Sequence, residues 1–131
     1  MILTASRLQG RVTFITGPEK GSGKTTLLNY CLGLLRVAGE RPGFMGIGFD
    51  GEACADDRSP RIACHEGEVF VTAASYLAAS GCWPEVLEAL PGSTSLGRLA
   101  VVRARRDGHA VLVGHERNDS CARAIALIRS E

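Results

Sequence analysis

The chain alternates short apolar runs with glycine-rich breaks. Residues 11–16, RVTFIT, are β-branched and apolar, which predicts a buried strand. A glycine-rich turn follows at once. From Lys24 the spacing changes: Leu27, Leu28, Cys31, Leu34, Leu35 and Ala38 recur every three or four residues, predicting a helix that Gly39 ends. Gly33, inside that helix, weakens it by about 1 kcal/mol relative to alanine. RPGFMGIGFDG then predicts a second strand around 43–48, ending at Asp50. Strand, loop, helix and strand form a βαβ unit, whose crossover is expected to be right-handed and its strands parallel.

The middle of the chain is less regular. EACADDRSP, residues 52–60, reads as an exposed loop with an acidic pair. RIACHEGEVFVTAASYLAAS predicts a short strand near Val69–Thr72 and then a small helix, or else a second short strand through Ser75–Leu77. In SLGRLAVVRARRDGHAVLVG two apolar runs flank Asp107-Gly108, the signature of a tight turn, so a β-hairpin is expected there. NDSCARAIALIRS predicts a final helix, with Asn118 and Asp119 as cap candidates and Cys121, Ala124, Ile125 and Ile128 on one face. The expected fold is α/β: a P-loop NTPase-like (Rossmann-like) core with a parallel βαβ unit and a β-rich insert, carrying the hairpin, over about 60–108.

Composition narrows the function classes. At 131 residues the chain fits one domain spanning 1–131, and 45% hydrophobic content suffices for a core. A net charge of +1 gives no electrostatic footprint for nucleic acid. No run of apolar residues is long enough to span a membrane, and the start MILTASRLQG lacks a signal-peptide layout. The cysteines, Cys31, Cys54, Cys64, Cys82 and Cys121, are odd in number and irregularly spaced. That pattern fits reduced thiols in a cytoplasmic protein better than a disulfide frame. Cys54, Cys64 and His65 are a conceivable zinc set, but no C-x-x-C supports it, and ordinary thiols are the simpler reading. Of 15 basic residues only Lys20 and Lys24 are lysines, and both lie in the first glycine-rich turn. A compact ammonium on a flexible stem does what arginine's planar fork does not.

That turn carries the chemistry. ITGPEKGSGKTTLLNY places a G-S-G-K-T-T core between a predicted strand and a predicted helix, the context a phosphate-binding loop requires. Counted back from Lys24, the first glycine of the usual G-x-x-x-x-G-K-[ST] pattern is replaced by Pro18, and Gly17 stands one residue earlier. Gly21, Ser22 and Gly23 let backbone N–H groups close around an anion, because glycine has no Cβ to obstruct them. The helix starting near Lys24 adds its positive N-terminal end. Lys24 is expected to reach the β and γ phosphates, Thr25 to bind Mg²⁺ through its hydroxyl, and Thr26 to contact the α phosphate. Asp50, at the carboxyl end of the second strand, is the first candidate for a Mg²⁺ or water-orienting carboxylate. Glu52, Asp56 and Asp57 are weaker candidates, the last two reading as a solvated loop.

GPEKGSGKTT resembles the loop of P-loop NTPases. The longer pattern G-x-x-K-x-x-G-K-T, with Gly17 and Lys20 as its early members, resembles the small P-loop subunit of the lysine 5,6-aminomutase reactivase family. NYCLGLLRVAGERPGFMGIGFDGE, GEVFVTAAS, TSLGRLAVVRARRDG and AVLVGHERN follow in that family's order, with Phe49 where the family has a basic residue. A weaker resemblance runs to the molybdopterin-guanine dinucleotide biosynthesis adaptor and to dethiobiotin synthetase. The reactivase resemblance implies Mg²⁺ and ATP as ligands. It also implies protein partners: an adenosylcobalamin-dependent aminomutase and a larger ATPase subunit. By the count from Lys24, the extra signature lysine of some dimeric relatives corresponds to Glu19, so Lys20 is expected to hold the phosphates or the loop in cis. The guanine-reading N-K-x-D pattern is absent, which favours ATP over GTP. The family's next strand, with its Walker-B-like aspartate, has no counterpart before Glu131, so the expectation is either a C-terminally truncated form of the fold or a chain that binds nucleotide with an incomplete hydrolytic site.

Three function classes follow. The first is a Mg-ATP-dependent regulatory or reactivating factor, an NTPase with Lys24 and Asp50 as its catalytic residues. The second is a small-molecule kinase or ligase, for which Arg98, Arg103, Arg105 and Arg106 are the lid candidates, although the predicted hairpin sends alternate ones to opposite faces. The third is a nucleotide-binding scaffold without turnover. His109 and His115 are not assigned a catalytic role.

Overall fold

A computed structural model describes residues 4–12, 24–46, 62–77, 80–94, 97–112 and 118–130. The chain divides into two compact units, Met1–Pro42 and Gly43–Glu131.

The first unit holds two helices, α1 (Ala5–Leu8) and α2 (Lys24–Val37), which lie against each other. The predicted helix from Lys24 is present, and Gly39 stops it by a recognisable device. Gly39 takes a φ of +83°, its N–H donates to the Arg36 carbonyl (3.0 Å), and the Glu40 N–H donates to the Leu35 carbonyl (2.9 Å). This pair of bonds satisfies carbonyls that the last turn would otherwise leave open, and the left-handed residue between them favours glycine. The buried stripe differs slightly from the expected one. Cys31 and Leu32 are the most buried residues of α2, whereas Leu27 is 44% exposed. Arg11 and Val12 are not in a strand, and the rest of the predicted strand 11–16 lies outside the described residues.

The second unit is built on a mixed four-stranded sheet. Its strands are β1 (Gly43–Phe44), β3 (Val69–Ala73), β5 (Gly97–Arg103) and β4 (Glu85–Thr94), in that spatial order. β1 runs parallel to β3, while β3–β5 and β5–β4 are antiparallel. β2 (Ile62–Cys64) and β6 (Gly108–Ala110) form a separate antiparallel pair. The protein is thus mixed α/β, with one parallel strand pair in a mixed sheet. Of the expected strand 43–48 only Gly43 and Phe44 are paired, and 47–50 lie outside the described residues.

Helix α3 (Asn118–Ser130) matches the predicted last helix, except that Asn118 is already helical. It covers one sheet face, where Val69, Val71, Ala73, Leu90, Leu99, Val101 and Ala124 form the core, flanked by Met45, Tyr76, Leu87, Leu127 and Ile128. Burying each of the larger aliphatic side chains contributes about 1.5–3 kcal/mol. The helix also dictates a residue in β1: a Cβ on Gly43 would overlap Ile128 Cγ2. The opposite face is buried too, with Phe44 stacked on its register partner Phe70 at a centroid distance of 5.6 Å and Val102 fully enclosed. Burial on both faces explains why β3 and β5 read as continuous apolar runs rather than alternating ones.

Two expectations for the middle region change. Val69–Ala73 is a strand followed by a 3₁₀ turn at Ala74–Tyr76, so the small-helix alternative holds and a second strand at 75–77 does not. The hairpin about Asp107-Gly108 is not formed. β5 is paired on both edges, by β3 and β4, and β6 leaves that sheet to pair with β2. Gly108 is required for another reason: a Cβ there would stand 2.6 Å from the Gly81 carbonyl oxygen and 3.0 Å from the Cys82 nitrogen. Asp107 is equally occupied, its Oδ1 accepting the Glu66 N–H at 2.9 Å. The hairpin that does form is β4–β5, with Thr94 opposite Gly97.

Candidate functional site

Of the residues in the predicted phosphate loop, Gly17, Lys20, Gly21, Ser22 and Gly23 lie outside the described residues, as do Asp50, Glu52, Asp56 and Asp57. Lys24, Thr25 and Thr26 are placed on the first turn of α2, which begins at Lys24. Thr26 is exposed; the side chains of Lys24 and Thr25 are outside the described atoms. The last turn carries Arg36, which complements the helix dipole, whereas the first turn carries no acidic side chain to do so. A helix N-terminus without acidic side chains favours an anion.

The arginines considered as a lid do not form one. Arg98 and Arg103 stand near opposite ends of β5, about 17 Å apart at the usual rise per strand residue. Arg98 is tied to its own hairpin, its Nε donating to the Leu90 carbonyl at 3.2 Å. Arg105 and Arg106 follow β5, beyond Ala104, and both are exposed. His109 is exposed on β6 opposite Ala63, and His115 lies outside the described residues. Among the described residues no three of His, Cys, Asp and Glu gather as metal ligands would; Cys54 is not among them.

A second locus, which the sequence did not signal, gathers around Gly108. Cys64 on β2 stands opposite Gly108 on β6, and Gly81–Cys82 runs directly against Gly108. Both cysteines are fully buried. The Cys64 thiol is hydrogen-bonded to Cys82 and holds the Cys82 thiol below its ordinary pKa; burial opposes this, while a backbone hydrogen bond and the Arg106 cation add to the lowering. The next residue, Trp83, has a φ of +50°, a conformation that costs a bulky side chain of order 1–3 kcal/mol. Its surroundings hold it there. The Arg105 and Arg106 N–H groups both donate to the Cys82 carbonyl, at 2.9 and 3.2 Å. The Arg106 guanidinium lies 4.0 Å from the indole centroid, and its Nε donates to the Gly81 carbonyl at 3.0 Å. Trp83 is nonetheless 62% exposed, and with Leu77, Ser80, Pro84 and Arg105 it lines a shallow depression of about 480 Å³.

The neighbouring turn is braced from inside. Glu68 is buried, its Oε1 accepts the His65 N–H at 2.8 Å, and its carbonyl accepts the Ala104 N–H at 2.8 Å. Cys64 and Cys82 share no short motif; strand register sets Cys64 opposite Gly108, and the 81–82 turn packs against that glycine.

No protein-family model, curated protein or solved structure matches the chain.

Proposed function

We propose that this chain is a Mg-ATP-binding P-loop protein that acts as a regulatory or reactivating factor, with GTP as the alternative nucleotide. The observation that carries the reading is the start of α2 at Lys24, directly behind the G-S-G run, with no acidic residue in its first turn. A phosphate chain needs such a place: glycine N–H groups, a helix N-terminus and a mobile ammonium. In this reading Gly17, Lys20, Gly21, Ser22 and Gly23 wrap the phosphates, Lys24 neutralises charge on the β and γ groups, and Thr26 reaches the α phosphate. Thr25 and Asp50 hold Mg²⁺, with Asp50 orienting the attacking water.

The partners follow from the resemblance of G-x-x-K-x-x-G-K-T: an adenosylcobalamin-dependent aminomutase and a larger ATPase subunit. The reading places the protein in the cytoplasm, consistent with unlinked Cys31, Cys64 and Cys82. Among the described residues no helix is long and apolar enough to cross a membrane. Equilibrium dialysis against ATP and GTP, with and without Mg²⁺, tests the ligand assignment, and ATP with Mg²⁺ is expected to be retained best. Equal retention of inorganic phosphate and nucleotide would count against it. Phosphate release, measured alone and with the aminomutase present, separates a factor with turnover from a silent scaffold.

A further inference from the structure

We infer that Cys64 and Cys82 form a reversible dithiol–disulfide pair, closed by hydrogen peroxide and reopened by a small thiol reductant. The geometry comes from two independent contacts with Gly108. Cys64 is its partner across the β2–β6 ladder, and antiparallel partners lie about 4.5–5.5 Å apart at Cα. On its other side, the Cys82 nitrogen stands 3.0 Å from where a Gly108 Cβ would be. The absence of a side chain at this one position brings the two buried cysteines against the same residue.

The two sulfurs differ in role. Cys82 is the nucleophile, because the Cys64 hydrogen bond and the Arg106 cation favour its thiolate. Its sulfur attacks one peroxide oxygen, the O–O bond breaks, and hydroxide leaves to take up a proton as water. Cys82 is then a sulfenic acid. The Cys64 sulfur attacks the Cys82 sulfur, the S–O bond breaks, and the second oxygen leaves as water. Two electrons pass from the thiols to the peroxide, and the two thiol protons end on the two waters. Both thiols are buried, which excludes bulky oxidants, and a small peroxide reaches them through local opening of the fold.

The test uses the full reduced chain, treated with hydrogen peroxide while folded, then unfolded and alkylated. No lysine or arginine lies between Arg61 and Arg98, so trypsin leaves both cysteines on one peptide, residues 62–98. The expected peptide has lost two hydrogens and carries no alkyl group. Cleavage after Glu66 or Glu68 by a glutamate-specific protease then gives two fragments still joined, which dithiothreitol separates. Trp83 is the chain's one tryptophan and adjoins Cys82, so its fluorescence should fall on oxidation and recover on reduction. In Cys64→Ser the sulfenic acid has no partner, and dimedone should capture it at Cys82. A folded, peroxide-treated chain in which both residues still take the alkylating agent would overturn the pairing. So would a link from either one to Cys31, Cys54 or Cys121.

Discussion

Gly108→Ala offers a sharp perturbation because the structure states what the added methyl would meet. The new Cβ would lie 2.6 Å from the Gly81 oxygen, 2.8 Å from its carbonyl carbon and 3.0 Å from the Cys82 nitrogen. Restoring ordinary contact, which begins near 3.4 Å, requires the facing backbone to move by about 0.8 Å. All three neighbours are main-chain atoms, so no rotamer change relieves the clash. Gly81 and Cys82 are also tethered, by Arg106 Nε to the Gly81 carbonyl and by two N–H groups to the Cys82 carbonyl. Overpacking a well-packed site costs about 1–3 kcal/mol, and the rigid surroundings put this case near about 3. With an m-value of about 1.5 kcal/mol/M, the urea midpoint should fall by about 2 M. Trp83 fluorescence is the appropriate probe, since the residue lies beside the altered contact and is the only tryptophan. A midpoint within about 0.3 M of wild type, at unchanged m, would refute the close approach of Gly108 to Gly81–Cys82.

Gly33→Ala should do the opposite: it lies inside α2 with nothing within 4 Å of its added Cβ, so stability of that helix should rise by about 0.8–1 kcal/mol, read by circular dichroism during urea unfolding. A loss would show that the position is crowded. Glu68→Ala should lower stability by about 2 kcal/mol by stranding the His65 N–H, while Glu68→Gln should lose less because its amide oxygen still accepts; equal losses would rule out the capping role. Burial pushes the Cys31 thiol up, so the unfolded chain ionises there before the folded one does. The stability held at Cys31 is complete below the ordinary thiol range and is lost as pH rises through the raised folded value. Urea midpoints from about pH 7 to about pH 10 should therefore fall less steeply for Cys31→Ala than for wild type, and parallel slopes would contradict the burial effect.

Local signals were read well where one physical cause dominates. The helix from Lys24 and its end at Gly39 follow from period and from a left-handed glycine, and the last helix follows from its apolar face. β3 was legible because Val69, Phe70 and Val71 are apolar and followed by small residues. β4 was not, since Pro91-Gly92 interrupts it; the strand tolerates them because it lies at the sheet edge and its register shifts between Ala89 and Ser93. Asp107-Gly108 misled for a different reason. The dipeptide has the chemistry of a tight turn, but its glycine serves a close approach to Gly81 and its aspartate pins Glu66, both contacts distant in sequence. The same glycine is opposite Cys64 in the β2–β6 register and against Cys82 through its close approach, two contacts that spacing alone gave no ground to expect. Of the predicted phosphate-loop motif, with its G-S-G-K-T-T core, the structure describes the helical portion from Lys24 onward.

The central claim is that this loop holds a nucleotide through Lys24. A calorimetric titration of Mg-ATP into the wild-type chain and into Lys24→Ala, each first verified as folded by circular dichroism, tests it most directly. The account predicts saturable binding of one nucleotide per chain and the loss of most of that binding in the variant. Undetectable binding to the folded wild type, or identical isotherms for the two proteins, would contradict it.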